Sequence, residues 1–161
     1  MNTVSNESTI DSSLQSTVTL FSYCGLLPFL YFAACAWFPG LNLFETEPLT
    51  VFRAYSAVIL SFLAGTLWVF GLIATQYQQQ VEVRSKSLIW SAIFLSVIAW
   101  GNLFIAGKAA LFVAGLLFLV VWQIEQKTEL TKCYPAWYTE LRAKLSMIVG
   151  ALHIIIWLTI S

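Results

Sequence analysis

Few residues in this chain could do acid–base, nucleophilic or metal chemistry. His153 is the only histidine, and the three cysteines, Cys24, Cys35 and Cys133, are scattered along 161 residues. The carboxylates are expected to lie only in the N-terminal tail and the loops. A metal site needs three or four converging ligands, which these residues do not supply at ligand spacing. The sequence therefore predicts no metal, no cofactor and no catalytic site.

The elements that would position His153 are five apolar stretches. Each is close to the roughly 17–25 residues that a helix needs to cross a bilayer. They cover residues 17–38, 49–75, 87–105, 109–123 and 143–160. The chain is also 59% hydrophobic and 10% charged, with a mean hydropathy of +0.79. These features predict an all-α polytopic membrane bundle of five transmembrane helices.

A soluble helical bundle is excluded because its helices should each show a polar face. Residues 57–65 and 109–121 show none. A net charge of zero and a pI near 6.5 provide no basic field for nucleic acid. The expected surroundings are therefore a lipid bilayer, and nucleic acid is excluded as a partner.

The first sixteen residues, 1–16, differ from the rest of the chain. They are rich in Ser, Thr and Asn and contain no Lys or Arg. A secretory signal needs a positively charged start, so the segment is not a signal peptide. We expect a disordered polar tail over 1–16, followed by a single transmembrane domain over 17–161.

Orientation is predicted from Lys and Arg in the short loops, because positive residues are retained in the cytoplasm. The loops on the N-terminal side carry Arg84, Lys86, Lys127, Lys132, Arg142 and Lys144. The opposite side carries only Arg53 and Lys108. This asymmetry predicts a bacterial cytoplasmic (inner) membrane protein with a cytoplasmic N-terminus and a periplasmic C-terminus.

The longest loop, 124–142, combines charged and aromatic residues. Proline suits the first turn of a helix, where its missing N–H costs nothing. We therefore expect a short interfacial helix over 135–145, leading into the last span. Its candidate interfacial motif consists of Pro135, Trp137, Tyr138, Leu141 and Arg142.

Small residues at four-residue spacing let membrane helices approach closely. Two such rows occur, which are Ala57, Ser61 and Gly65 in the second span and Ala106, Ala110 and Ala114 in the fourth. We expect these rows to be helix-packing seams; the alternative is a substrate passage.

Two residues are unusual for the middle of a membrane. Pro28 should free the carbonyl of Cys24, which then needs a neighbour within the bundle. His153 is a functional candidate, because ionisable residues inside membranes are costly. The commoner role is a hydrogen bond across helices, and Ser61 or Thr66 would be the partner. Hydrolysis at this depth would lack water, so the chain is not expected to be an enzyme.

Three motifs resemble one known family. They are YCGLLPF at 23–29, AYSAVILSFLAG at 54–65, and PAWY at 135–138 followed by Leu141 and Arg142. Together they resemble the transmembrane-protein-69-like family, catalogued as domain of unknown function 3429. The resemblance implies a small multi-span protein of bacterial membranes, with relatives in mitochondria and no established activity. Trp68 is followed here by Val69, where the family usually has glycine.

Two functions fit these features. The first is a non-catalytic packing, assembly or interaction protein, which binds other membrane proteins or a second copy through the small-residue seams and residues 134–142. The alternative is a small oligomeric carrier or channel subunit for a solute or ion. Carriers often show internal repeats and broken helices, whereas this chain has one central proline and no repeat. The sequence therefore favours the first function.

Overall fold

The computed structural model describes residues 3–74, 85–128 and 130–160. Within them the chain is helical and contains no strand, which confirms the predicted all-α class. The six helices are α1 (Thr3–Cys24), α2 (Leu27–Trp37), α3 (Pro48–Ala74), α4 (Ser85–Gly101), α5 (Ala109–Lys127) and α6 (Ala136–Thr159). Short 3-10 turns follow α2, α4 and α5 at Pro39–Leu41, Asn102–Phe104 and Leu130–Cys133.

Five helical stretches of the described chain are long and apolar enough to cross a membrane. They are Ser12–Trp37, Pro48–Ile73, Ser85–Phe104, Ala109–Lys127 and Ala136–Thr159. The outer surface carries many exposed large apolar side chains, such as Phe62 and Phe94. An apolar surface of this extent is a liability in water but matches lipid. The chain is therefore a multi-pass membrane protein.

Contacts between helix ends define the two sides of the bundle. Glu125, near the end of α5, pairs with Arg142, near the start of α6. Trp37, at the end of α2, donates a hydrogen bond to Thr159, at the end of α6. We call the side where α1 and α6 begin the N-side, and the side where α2 and α6 end the C-side. Helices α3 and α5 run from the C-side to the N-side.

Three phenylalanines form the centre of the core. Phe29 of α2 meets Phe52 of α3 and Phe118 of α5 edge to face, with ring centroids 5.4 and 5.9 Å apart. All three side chains are almost fully buried. Edge-to-face contacts of this kind add to the gain from burial. The rings therefore hold three helices together at one level of the bundle.

The first span is interrupted in the middle rather than kinked. Helix α1 ends at Cys24, and α2 begins at Leu27 with Pro28 in its first turn. A proline fits there because first-turn N–H groups have no intrahelical partner. The Tyr55 hydroxyl donates to the carbonyl of Gly25 at 3.0 Å. The neighbour expected beside the proline thus exists, but it bonds Gly25 instead of Cys24.

Residues 3–16, which the sequence predicted to be disordered, belong to helix α1. The reason is that no glycine or proline precedes Gly25. Once the apolar turns of the first span are helical, each further residue adds one hydrogen bond. The polar side chains of the tail do not stop this extension.

Residues 135–145 do not form a separate interfacial helix. Pro135 directly precedes α6, which runs without a break to Thr159. No proline interrupts this segment, so nothing separates its first turns from the span. Helix α5 also continues four residues past the predicted end at 123. Arg84 and most of the second predicted loop lie outside the described residues.

Candidate functional site

Polar side chains are buried between the helices at three levels of the bundle. Glu125, Arg142 and Ser146 lie toward the N-side, His153 and Ser56 lie at the phenylalanine core, and Asn102 lies toward the C-side with the half-buried Arg53. Polar groups inside a membrane must be satisfied by other protein groups. These three clusters are therefore the places where the helices depend on one another.

The N-side cluster is an ion pair. The Nε and Nη2 atoms of Arg142 donate to Oε1 of Glu125 at 3.2 and 3.1 Å. Its Nη1 donates to the hydroxyl of Ser146, one turn later on α6, at 3.2 Å. The pair is buried, with Glu125 1% and Arg142 7% exposed. Two charges that cancel in this way can be held in a low-dielectric interior.

The burial of Glu125 corrects the expectation that carboxylates lie only in the tail and loops. The predicted fourth span stopped before this residue, whereas α5 continues past it to Lys127. Phe118, Val121 and Glu125 are all buried and recur at helical spacing. This periodicity was the signal in the sequence that could have identified Glu125 as an inward-facing residue.

The middle cluster joins α6 to α3. Nδ1 of His153 lies 2.8 Å from the carbonyl of Val149, and Nε2 lies 2.8 Å from the hydroxyl of Ser56. A carbonyl only accepts, so Nδ1 carries a proton and donates it. The Ser56 oxygen is also 2.7 Å from the carbonyl of Phe52. When the imidazole is neutral, only two protons, one on Nδ1 of His153 and one on the Ser56 hydroxyl, are available for these three short contacts.

Aromatic rings and a glycine enclose His153. The ring centroids of Phe52, Phe118 and Phe29 lie 4.6, 5.5 and 5.8 Å from that of His153. A Cβ atom added to Gly115 would be 2.8 Å from the His153 Cβ. The imidazole has no exposed surface. It is placed to connect α6 to α3.

The predicted partners of His153 are wrong. Ser61 lies on the exposed face of α3, and the Thr66 hydroxyl donates to the carbonyl of Leu63. The actual partner, Ser56, is five residues closer to the C-side than Ser61, which corresponds to about 7.5 Å along the helix. The sequence gives the depth of a residue only by its distance from the ends of its span, and it gives no information on the rotation of α3 about its axis.

The C-side cluster closes the end of α4. Nη2 of Arg53 donates toward the carbonyls of Asn102, Leu103 and Ile105 at 3.0, 3.1 and 2.6 Å. These carbonyls belong to the 3-10 turn Asn102–Phe104 and to Ile105, where regular helical hydrogen bonding ends, so the guanidinium supplies a donor there. The carbonyl of Asn102 also accepts from the backbone N–H of Ile105 at 3.3 Å. The Asn102 amide donates to the carbonyl of Ala110 on α5 at 2.9 Å. Three helices thus meet at this cluster.

The two small-residue rows are not continuous seams within the chain. Ala57, Ala110 and Ala114 are buried between helices. Ser61 and Gly65 face outward on α3, while Ala106 lies in the turn before α5. A Cβ atom added to Gly65 would meet nothing within 4 Å. The expected close contact at Gly65 is therefore absent from the bundle.

Other glycines make the close helix contacts that Gly65 was expected to make. Gly115 of α5 faces His153 and Gly150 of α6, and a Cβ on Gly150 would be 3.3 Å from Leu119. A Cβ on Gly71 of α3 would be 2.8 Å from a side-chain atom of Ile89 on α4. Small residues are the usual means of such approach in membranes. Sequence reasoning missed them because it searched for rows rather than single positions.

The residues of the predicted interfacial motif are spread around the start of α6. Leu141 and Arg142 are buried, Trp137 and Tyr138 are half-buried, and Pro135 is exposed. The motif therefore points partly into the bundle and is not a single surface. The inward members are Leu141 and Arg142, and Arg142 joins the start of α6 to α5 through its ion pair with Glu125.

Comparison with known proteins gives one family. No curated protein and no solved structure matches the chain. The match is to the proteins of unknown function grouped as DUF3429, and it covers residues 14–158, from the middle of α1 to the end of α6. The comparison does not test the narrower resemblance to transmembrane protein 69, which stays a prediction. Because that match covers nearly all of the described bundle, the chain belongs to the DUF3429 family of proteins of unknown function.

Proposed function

We propose that this chain is a non-catalytic assembly protein, which binds a helix of another membrane protein or of a second copy through the outer face of α3. That outer face consists of Val58, Ser61, Phe62 and Gly65, all of which are exposed. Their spacing places them on one side of the helix. Ser61 and Gly65 are the small residues of this face, four positions apart.

The observation that carries this proposal is the open space around Gly65. A groove of about 330 Å³ between α3 and α4 is lined by Gly65, Trp68 and Ser96, among others. A second groove, of about 430 Å³, lies on the other side of Gly65 along Val69. Association of membrane helices depends on close packing at small residues. A helix side chain of a partner could fill each groove, with Gly65 as the point of closest approach.

The interior of the bundle supports an assembly role over a carrier or an enzyme. At the level of His153, the space between α2, α3 and α5 is filled by Phe29, Phe52 and Phe118. Both nitrogens of His153 are engaged by groups of the protein itself. A general base must instead reach a proton on its substrate.

We also propose that the N-side faces the cytoplasm of a bacterial inner membrane. Lys86, Lys127, Lys132 and Lys144 are exposed at that side, whereas the C-side has exposed Lys108 and the half-buried Arg53. Positive residues favour the cytoplasmic side. Reporter fusions after Lys127 and after Ser161 test this orientation. Cytoplasmic activity of the Ser161 fusion would contradict it.

The test of assembly is purification in a mild detergent, followed by native mass measurement and identification of co-purifying proteins. The wild-type chain should carry a second membrane protein or a second copy in fixed ratio. Gly65→Leu should remove that partner because the larger side chain holds the helices apart. The thermal unfolding temperature should stay near wild type, since nothing within the chain lies close to Gly65.

Ala151→Leu is the matched control, because Ala151 is an exposed small residue on a different span. It should leave the partner in place. Retention of the partner in Gly65→Leu would contradict the proposal, as would its equal loss in Ala151→Leu.

A further inference from the structure

A cleft of about 460 Å³ opens between α1, α3 and α6 in the N-side half of the bundle. Its outer wall is formed by Phe21 and Ser22 of α1, and its floor by Phe29 and Phe118 of the core. The volume falls in the range of about 300–1,000 Å³ that is typical of small-ligand sites. We call it the N-side cleft. It shares Phe62 with the outer face of α3 but is not lined by Gly65.

The N-side cleft is polar at one end and apolar at the other. Tyr138, Arg142 and Ser146 of α6 line its polar end, and Val149 lies beside the phenylalanine floor. From Tyr138 to Val149 the helix rises about 16 Å. Half of a bilayer's hydrocarbon core is about 15 Å. The cleft therefore extends through one leaflet and stops at the middle of the membrane.

The polar end offers hydrogen-bond donors without a net charge. Glu125 balances the charge of Arg142, and three of the Arg142 N–H groups are used by Glu125 and Ser146. A guanidinium has five N–H donors, so two remain. An uncharged acceptor fits this environment better than a phosphate would, because no unpaired positive charge is present.

We propose that the N-side cleft binds one acyl chain of a phospholipid from the N-side leaflet. The ester carbonyl accepts hydrogen bonds from Arg142 or Tyr138, and the hydrocarbon extends to the floor formed by Phe29 and Phe118. An ester carbonyl is a neutral acceptor at the boundary between head group and hydrocarbon, which matches the polar end in both chemistry and depth. A transmembrane helix of a partner would not fit, since the cleft ends halfway across the membrane.

The test uses the full chain in vesicles of phosphatidylethanolamine and phosphatidylglycerol, with a trace of phosphatidylethanolamine that carries a diazirine on one acyl chain. After illumination, mass spectrometry locates the adducts. Adducts are expected inside the cleft, on Ser22 and Val149, as well as on the lipid-facing residues Met147 and Ile148. Adducts on the lipid-facing residues alone would overturn the proposal.

Variants that fill the N-side cleft make the test specific. Ser22→Phe should lower labelling of Val149 by about tenfold, a change equivalent to about 1.4 kcal/mol, and leave labelling of Met147 unchanged. Thr17→Phe fills the same cleft from about 7.5 Å along α1 and serves if Ser22→Phe does not fold. Ser87→Phe, at an exposed position outside the cleft, is the matched control. Unchanged labelling of Val149 in a folded cleft variant would overturn the proposal.

Competition identifies the source of the acyl chain. Extra unlabelled phosphatidylethanolamine should reduce labelling of Val149 and of the lipid-facing Met147 alike, because it dilutes the probe, and this reduction is the reference for the palmitate arm. Free palmitate should compete no better, because it lacks the ester carbonyl that the polar end binds. Selective removal of the labelling by palmitate would overturn the assignment to a phospholipid.

Discussion

Arg142 directs two of its N–H groups at the same oxygen of Glu125, Oε1, at 3.2 and 3.1 Å. The other carboxylate oxygen, Oε2, has no hydrogen-bond partner among the described residues. The pair is therefore neutral overall, but one carboxylate oxygen lacks a donor. Each charge is tolerated in the interior because the other is present. Removing one partner should cost far more than removing both.

Arg142→Leu should leave the buried Glu125 carboxylate without a counter-charge. Breaking a buried ion pair in this way typically lowers the free energy of unfolding by about 3–5 kcal/mol. Replacing both residues with leucine should recover most of that loss. Reversible unfolding in mixed detergent micelles measures the three values.

Lys144→Leu serves as the control for this comparison. Lys144 forms an exposed i,i+4 bridge with Glu140, a kind of pair that contributes little. If Arg142→Leu proved no more harmful than Lys144→Leu, the buried pair would not be stabilising the bundle.

The contact between Ser56 and His153 should appear as an energetic coupling. A double-mutant cycle of Ser56→Ala and His153→Leu isolates it. Hydrogen bonds between membrane helices average about 0.6 kcal/mol, so a coupling of that size is expected. The same cycle with Ser61→Ala in place of Ser56→Ala should be additive, because Ser61 faces outward. Coupling at Ser61 and none at Ser56 would refute the observed rotation of α3.

Gly115→Ala should destabilise the contact between α5 and α6. The new methyl group would stand 2.8 Å from the Cβ of His153, which is closer than real contacts permit. Overpacking of this kind typically costs about 1–3 kcal/mol. The matched change Gly65→Ala meets nothing within 4 Å and should be neutral or slightly stabilising in the monomer. Thermal unfolding of the two variants in detergent should therefore shift in different ways, and equal shifts would contradict the packing described.

Arg53→Leu should loosen the 3-10 turn that follows α4. The carbonyls of Leu103 and Ile105 would lose the Arg53 donor, and that of Asn102 would keep only the backbone N–H of Ile105. Faster amide hydrogen exchange is expected over 102–111, measured by mass spectrometry on the purified chain. Lys108→Leu changes an exposed cation in the same turn and should leave exchange there nearly unchanged. Normal protection in Arg53→Leu would show that the guanidinium is not needed as a cap.

The membrane spans could be predicted from the sequence because a bilayer demands long apolar runs. The predicted fourth span begins at Ala109, where α5 begins. The rotation of each helix about its axis could not be predicted in the same way. In a membrane, apolar residues occupy both the lipid-facing and the inward-facing surfaces, so hydropathy does not separate Ser56 from Ser61. This is why the expected partner of His153 was wrong while its burial was anticipated.

Two charged residues near the ends of the spans lie deeper than expected. The predicted fourth span ended at 123, which placed Glu125 in the following loop. Its partner, Arg142, was expected in the interfacial motif at the start of the last span. A carboxylate that continues the buried spacing of Phe118 and Val121 needs a cation from another helix, and Arg142 lies at the start of the next one. The ion pair was therefore predictable from periodicity and charge together.

The buried polar contacts are completed at different times as the chain is synthesised from its N-terminus. Arg53 meets the carbonyl of Asn102, 49 residues later, as soon as the third span is in place. Arg142 follows Glu125 by 17 residues, and His153 follows Ser56 by 97 residues, so each contact can form only after the later residue has been synthesised. Both of those partners arrive on α6. A chain interrupted before Ala136 therefore inserts four spans but carries a carboxylate without its cation and a gap among the phenylalanine rings. We expect such a fragment to be less stable than the full chain, because a buried charge without its partner is costly.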